Sequence, residues 1–157
     1  MSTSPLEQIL APDRVRAGLD PVSRKQALEV ASQLIGQSVP ELDSHELYQS
    51  LLARERLGST ALGQGVALPH GRLAGCSRLT GALLTLKQPI DFDAEDNQPV
   101  DLLMVLIAPE EASQDHLNTL AWLAEHLTDP AQVLALRNAT GDEELFAAAL
   151  ASTGERP

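Results

Sequence analysis

Residues 101–108 constrain the fold of this chain more than any other segment. After its first residue this run is almost wholly apolar. A strand with one face in water alternates apolar and polar residues, whereas a strand that is covered on both faces is apolar throughout. The run therefore predicts a central strand with other structure packed on both faces of its sheet.

Helical and extended patterns alternate along the rest of the chain. Strands are predicted over 14–19, 66–68 and 81–86, and 88–99 is predicted as a polar connection. Helices are predicted over 5–10, 23–35, 43–57, 114–127 and 130–137, with a last one ending near Ala151 and a frayed tail over 152–157. Helices before, between and after the strands indicate a layered α/β domain.

Capping residues mark where several of these helices begin and end. The predicted N-terminal caps are Ser23, Asp43 with Glu46, Ser113, Pro130, and Thr140 with Glu143. Gly36 is expected to stop the first long helix, because glycine is a poor helix former. The length of 157 residues favours a single domain, and no repeat or linker divides the sequence, so we expect one domain over 1–157 with its core over about 6–150.

The charge of the chain excludes several classes of partner. The formal net charge is −11, whereas nucleic acid and anionic membranes both require a basic face. No run approaches the ~20 apolar residues of a membrane span, and no signal peptide is apparent. With Cys76 as the single cysteine, no internal disulfide can form. We therefore expect a cytoplasmic protein that neither binds nucleic acid nor inserts into a membrane.

His70 stands out among the four histidines because of its neighbours. It follows the apolar run 66–68 and Pro69, which fixes its own φ and ends the strand, and it precedes Gly71, where the chain is expected to turn away. His45 and His126 lie on predicted helices among polar neighbours and are predicted to be solvated. An imidazole at position 70 would be exposed to solvent, and its orientation would be fixed by the rigid backbone before it.

Positive charge gathers around His70 although the chain as a whole is acidic. Between residues 54 and 78 four arginines face one acid, Glu55, which gives a local charge of +3. A histidine that accepts a phosphoryl group needs one free neutral ring nitrogen, and the three phosphoryl oxygens need cationic or N–H donors. His116 or Arg54 could supply these donors, as could the backbone at the helix start after Ser113. Arg54 is equally explained by its place in the last turn of a helix, where the dipole favours a cation.

Other chemistries have weaker support in the sequence. A zinc site made of His70, His116 and Cys76 lacks any HxxxH or CxxC pair. The acidic run 91–96 fails as a calcium loop, because its sixth and twelfth positions are not Gly and Glu. Ser59 and Ser77 lack the Gly-x-Ser-x-Gly elbow of a nucleophilic serine. On the residues alone, His70 could also be a loop histidine with no chemical task.

Two stretches of the chain carry a family resemblance. The first consists of Arg54-Glu55, Leu57-Gly58-Ser59-Thr60 and the run from Gly63 through Pro69-His70-Gly71, and the second of residues 90–103 with Ala108-Pro109 and His116-Leu117. The first resembles the signature of the type-2 IIA domains of the phosphoenolpyruvate-dependent phosphotransferase system, the mannitol/fructose class. The second is similar to the nitrogen-related branch of that family.

The resemblance implies both a fold and a set of site residues. The family fold is a single α/β domain with a mixed β-sheet sandwiched between layers of α-helices. His70 would be the phosphorylated residue, His116 would border the phosphoryl group, and Arg54 would be the active-site arginine. Ser59, Thr60 and Gly71 would support the phosphoryl loop, and neither a cofactor nor a metal is implied.

The resemblance also implies a place in a phosphoryl relay. His70 would receive phosphate from an HPr-like carrier of the NPr type, which is itself charged by a phosphoenolpyruvate-dependent enzyme I. Nitrogen-related members act mainly as regulators, for example of potassium-transport regulators or kinases. Two alternatives stay open: a fructose- or mannitol-specific IIA subunit that passes phosphate to a IIB domain, and a binding module in which His70 is never modified.

Overall fold

A computed structural model describes residues 5–111 and 113–151. Over these residues the chain forms six strands and six α-helices. The strands are β1 (Val15–Leu19), β2 (Ala61–Gly63), β3 (Val66–Ala67), β4 (His70–Leu73), β5 (Thr80–Ile90) and β6 (Val100–Pro109). The helices are α1 (Pro5–Ile9), α2 (Arg24–Ser38), α3 (Ser44–Leu57), α4 (Gln114–His126), α5 (Pro130–Arg137) and α6 (Asp142–Ala151), with a 3₁₀ turn at Pro12–Arg14.

The strands form one mixed sheet in which β6 is central. The order is β1-β5-β6-β3-β2, and β4 also pairs with β6. β6 runs antiparallel to β5 and parallel to β3 and β4. β3 and β4 lie end to end along the same edge of β6, with Ala67 opposite Leu103 and His70 opposite Leu106. The N–H of Leu106 donates to the carbonyl of Pro69 at 2.9 Å, so pairing continues across the proline that separates the two strands.

β6 carries hydrophobic cores on both of its faces, as its apolar sequence predicts. Leu103, Val105 and Ile107 pack towards α2 and α3, whereas the alternate residues Leu102, Met104 and Leu106 pack towards α1, α4, α5 and α6. All six of these side chains are buried. The prediction of a layered α/β domain is confirmed, because each face of the sheet is covered by helices.

One error in the predicted element bounds concerns α2. Ser23 caps this helix through the N–H of Gln26, as predicted, but Gly36 does not end it, and α2 continues to Ser38. A Cβ placed on Gly36 would lie 2.2 Å from the Oγ of Ser44. The glycine therefore lets the first residue of α3 approach α2 closely.

Two further predictions need correction at the ends of elements. β5 extends to Ile90 and so takes up the beginning of the segment that was predicted as a polar connection. Before α6 the hydroxyl of Thr140 hydrogen-bonds the carboxylate of Glu144, not that of Glu143. α6 begins at Asp142, so Thr140 lies one residue too early for a capping box with Glu143. The predicted frayed tail lies outside the described residues.

Candidate functional site

His70 is the first residue of β4, not a residue at which the chain turns. The prediction that Gly71 lets the chain leave the strand is wrong, because β4 continues to Leu73 in parallel pairing with β6. A Cβ on Gly71 would lie 2.4 Å from the Oγ of Ser50, which donates to the carbonyl of Arg72 at 2.8 Å. Glycine at this position therefore allows α3 to pack against β4 beside the histidine.

The ring of His70 has a defined tautomer. Its Nδ1 lies 2.8 Å from the carbonyl oxygen of Leu68. Because a carbonyl can only accept a hydrogen bond, Nδ1 carries the proton and the neutral ring keeps an unprotonated Nε2. Pro69, between the two residues, is buried and restricts the backbone. His70 thus has one nitrogen held by the fold and one nitrogen with a free lone pair.

The surroundings of His70 favour its neutral form. Burial lowers the pKa of His70 below its ordinary value of 6.5, the bond to Leu68 raises it, the charge of Arg54 lowers it and the charge of Glu55 raises it. Burial is the largest of these effects, so the balance is downward. At pH 7 the ring is therefore largely neutral and nucleophilic.

One cleft is lined by three residues that the sequence analysis singled out. The cleft has a volume of about 450 Å³ and contains His70, Arg54 and His116. These residues come from β4, α3 and α4, so the fold brings together positions that are far apart in the sequence. The remaining wall is formed by Ser50, Ala53, Leu57, Gly71, Arg72, Leu79, Leu106, Ala108, Leu117 and Leu120.

Arg54 both caps the end of its own helix and faces the cleft. Its Nη1 donates to the carbonyl of Gly58 at 2.7 Å, which satisfies a carbonyl at the C-terminal end of α3. A guanidinium has five N–H donors, so this bond leaves others available. Helix capping and anion binding are therefore compatible functions of the same side chain.

His116 has the opposite tautomer to His70. Its Nδ1 accepts from the N–H of Ser113 at 3.2 Å, and its own N–H donates to the Oγ of Ser113 at 3.3 Å, in a reciprocal capping box at the start of α4. Because Nδ1 accepts, the neutral ring carries its proton on Nε2. The cleft thus holds one imidazole with a free nitrogen lone pair and a second with an N–H donor.

Ser59 and Thr60 shape the loop beside His70. The hydroxyl of Ser59 donates to the carbonyl of Phe92 and accepts from the N–H of Ala61. Thr60 is buried and binds the carboxylate of Glu55 through its N–H and its hydroxyl. Both residues line a second cavity of about 330 Å³ that also contains His70 and Arg54.

Sequence reasoning missed three contributors to this site. The carbonyl of Leu68 carries no sequence signal, because any residue has one. Arg72 lines the cleft but was counted only as part of the basic patch. Two other arginines of that patch, Arg56 and Arg78, lie outside the cleft lining. Glu55 was counted only in the local charge and as part of the motif, and it is buried. It follows Leu47 and Leu51 at intervals of four residues, which places it on the inner face of α3.

The other titratable candidates lie in different surroundings. His45 is exposed, as predicted, but His126 is partly buried, stacks on Trp122 with ring centroids 4.6 Å apart, and has a buried Nε2 without a hydrogen-bond partner among the described residues. Burial raises the pKa of the Cys76 thiol. Within 5–111 and 113–151 no group of three or more His, Cys, Asp or Glu side chains could hold a metal ion, and no helix is long and apolar enough to cross a membrane.

Comparison with known proteins agrees with the fold and the motifs. The family described as "Phosphoenolpyruvate-dependent sugar phosphotransferase system, EIIA 2" matches residues 8–151. The chain belongs to this family, whose members are phosphotransfer components of that system. The resemblance predicted from the motifs around His70 is therefore confirmed.

Individual relatives point to the nitrogen-related branch. The chain is 45% identical over 142 residues to a nitrogen regulatory protein of Pseudomonas aeruginosa, covering 90% of this chain and 92% of the relative. The crystal structure of the nitrogen regulatory protein IIA-Ntr from Neisseria meningitidis superimposes with a TM-score of 0.82 at 37% identity, covering 93% and 99% of the two chains.

More distant structures share the fold alone. Enzyme IIA for mannitol from Escherichia coli, solved in complex with phosphorylated enzyme IIB for mannitol, has a TM-score of 0.72 at 19% identity and covers 89% of this chain and 96% of its own. The mixed sheet between helical layers is therefore common to nitrogen-related and mannitol-type proteins. The predicted family fold is confirmed.

Proposed function

We propose that this chain is a phosphocarrier and regulatory protein of a nitrogen-related phosphotransferase system, in which Nε2 of His70 reversibly accepts a phosphoryl group. The observation that carries this proposal is the bond from Nδ1–H of His70 to the carbonyl of Leu68 at 2.8 Å. That bond leaves Nε2 as the nucleophile in a cleft that also contains Arg54 and His116. A second cationic side chain, Arg72, lies in the same wall.

The transfer exchanges one phosphorus–nitrogen bond for another. Nε2 of His70 attacks the phosphorus of a phosphohistidine on the donor, and the bond to the donor's ring nitrogen breaks with its electron pair remaining on that nitrogen. Nδ1 of His70 keeps its proton, so no proton has to leave for the new bond to form. Because the bond that breaks already carries the transfer potential, the protein supplies positioning and charge stabilisation.

Arg54 and His116 act as donors to the transferred group. The phosphoryl group spreads its charge over three oxygens, and N–H donors that are fixed in advance stabilise that charge. Arg54 offers guanidinium N–H groups, and His116 offers Nε2–H. Ser59, Thr60 and Gly71 support the loop and strand that hold the ring of His70 in place.

The relay begins with a donor and ends with a regulated partner. The donor is an HPr-like carrier of the NPr type, charged by a phosphoenolpyruvate-dependent enzyme I, and the relay operates in the cytoplasm. The similarity to nitrogen regulatory proteins supports a regulatory role for the phosphorylated and free forms. Phosphorylation adds about two negative charges, enough to alter binding to regulated proteins such as potassium-transport regulators or kinases.

Intact-protein mass spectrometry tests this proposal. The wild type is incubated with phosphoenolpyruvate, enzyme I and an HPr-like carrier, beside the variants His70→Ala, His116→Ala and Arg54→Ala. We expect one acid-labile phosphoryl group on the wild type and none on His70→Ala. The other two variants should be charged about 100-fold more slowly, the loss typical of one missing charge-stabilising donor.

Arg56→Ala is the matched control, because Arg56 lies on the same helix but outside the cleft lining. It should be charged at the wild-type rate. A wild type that stays unmodified with competent donors contradicts the proposal and favours the binding module. Rapid transfer from the phosphorylated chain to a fructose- or mannitol-type IIB domain would instead favour the sugar-specific alternative.

A further inference from the structure

A chain of hydrogen bonds leads from His70 away from the cleft to one buried carboxylate. Nδ1–H of His70 donates to the carbonyl of Leu68 at 2.8 Å, and the N–H of Leu68 donates to the carbonyl of Thr60 at 2.9 Å. The N–H and hydroxyl of Thr60 donate to the two carboxylate oxygens of Glu55 at 2.9 and 2.6 Å. Three successive contacts therefore connect α3 to the ring of His70.

Glu55 lies at the buried end of this series of hydrogen bonds, where its carboxylate is held as an anion. It is 4% exposed, and a buried carboxylate needs hydrogen-bond donors or a cation to stay charged. Thr60 supplies two donors at short range. Arg24 lies farther away, at 3.7 Å, and also pairs with Asp93 at 3.3 Å. Thr60 is therefore the closer partner of the carboxylate.

The charge of Glu55 also affects the pKa of His70. Arg54 and Glu55 are neighbours on α3 but project in different directions, one into the cleft and the other into the interior. Their charges act in opposite senses on His70: Arg54 lowers its pKa and Glu55 raises it. The carboxylate thus offsets part of the effect of the arginine that faces the phosphoryl site.

We propose that Glu55 is a positioning residue of the His70 site. Its carboxylate fixes Thr60, Thr60 fixes the peptide of Leu68, and the carbonyl of Leu68 selects the tautomer with the proton on Nδ1. The negative charge also keeps Nε2 more basic than it would be beside Arg54 alone. This inference rests on the proposed function, because the positioned ring is the proposed phosphoryl acceptor.

Two substitutions separate the geometric and the electrostatic contributions of Glu55. Glu55→Gln can keep both contacts to Thr60 but loses the charge, so we expect the tautomer of His70 to persist and its pKa to fall. Glu55→Ala loses both contacts, so we expect the proton to shift towards Nε2. We expect the phosphorylation rate to fall about tenfold, by analogy with the lower end of the loss seen when a group that orients a metal-binding histidine is removed.

The readout is ¹⁵N NMR of histidine-labelled protein across a pH titration, together with the rate of phosphorylation by the carrier. Asp93→Asn is the matched control, because it removes another carboxylate that pairs with Arg24 but lies outside the chain of contacts. It should leave the tautomer and pKa of His70 unchanged. The NMR measurement needs no phosphoryl donor, so it tests Glu55 even if the wild type is never phosphorylated.

An unchanged tautomer in Glu55→Ala, or an unchanged pKa of His70 in Glu55→Gln, overturns the inference. If neither Glu55 variant folds, Thr60→Val and Thr60→Ser provide the test. Thr60→Val removes one of the two contacts and should increase the fraction of His70 with its proton on Nε2, and Thr60→Ser should restore the wild-type fraction. Equal tautomer fractions in these two variants would also overturn the inference.

Discussion

The cleft contains two imidazoles whose protons lie on opposite ring nitrogens. The carbonyl of Leu68 keeps the proton of His70 on Nδ1, and the N–H of Ser113 keeps the proton of His116 on Nε2. In the proposed function, the first histidine attacks phosphorus and the second donates to a phosphoryl oxygen. The motif around position 70 could be predicted from the sequence, but the tautomers could not, because backbone groups set them.

His126 provides a prediction at the scale of one residue. Burial lowers its pKa below 6.5, with partial compensation by the charge of Asp129. As the pH falls below 6.5, the unfolded chain binds a proton at this residue before the folded chain does, so the folded state loses stability. His126→Phe keeps a ring against Trp122 and removes the titrating group, so it should flatten the fall in the free energy of unfolding below pH 6.5.

Urea denaturation at several pH values between 7.5 and 5 measures this effect through the fluorescence of Trp122, the single tryptophan. His45→Phe, which replaces an exposed histidine on α3, is the control and should keep the wild-type pH dependence. A His126→Phe profile parallel to that of the wild type would show that His126 does not destabilise the folded protein in acid.

At the scale of elements, α3 supports the site through three side chains that point in different directions. Ser50 packs against β4, Arg54 faces the cleft and Glu55 continues the buried row of Leu47 and Leu51. Because successive helical residues are rotated by about 100°, one short helix can serve all three contacts. The helix and its cap at Asp43 were predicted from the sequence. The burial of Glu55 was not considered, and charged residues are rarely buried unless they are paired.

The contact between α3 and β4 gives a prediction for Gly71. Gly71→Ala would place its Cβ 2.4 Å from the Oγ of Ser50, and turning Ser50 away would break its bond to Arg72. We expect a loss of about 1–3 kcal/mol in the free energy of unfolding, the usual cost of overpacking. Chemical denaturation of wild type, Gly71→Ala, Ser50→Ala and the double variant measures it.

The double-mutant cycle for these residues identifies the cause. Gly71→Ala should cost less in the Ser50→Ala background, because the clashing oxygen is absent there. Equal costs in the two backgrounds would mean that the contact with Ser50 does not explain the glycine.

At the scale of the whole molecule, the site depends on the order of strands in the sheet. β4 extends the line of β3 along the edge of β6, which brings His70 next to Leu106 and within the same cleft as His116 of α4. The helices, the central strand and most boundaries follow from local patterns and could be predicted. The convergence of Arg54, His70 and His116 does not follow from local patterns, because it depends on pairing between distant segments, and it was expected only from the family resemblance.

Errors in the predicted bounds share the same origin. Gly36 was expected to end α2 on local propensity, but its contact with Ser44 explains the residue without a helix end. β5 extends to Ile90, which pairs with Val100 of β6, although the sequence there is polar. In both places tertiary packing outweighs the local preference.

The most direct test of the proposed function is the identity of the phosphorylated nitrogen. Protein with ¹⁵N-labelled histidine is phosphorylated through the carrier and examined by ¹⁵N and ³¹P NMR. We predict phosphorus on Nε2 of His70, with Nδ1 still protonated and bonded to the carbonyl of Leu68. Phosphorus on Nδ1, on another residue, or on no histidine at all would contradict the account.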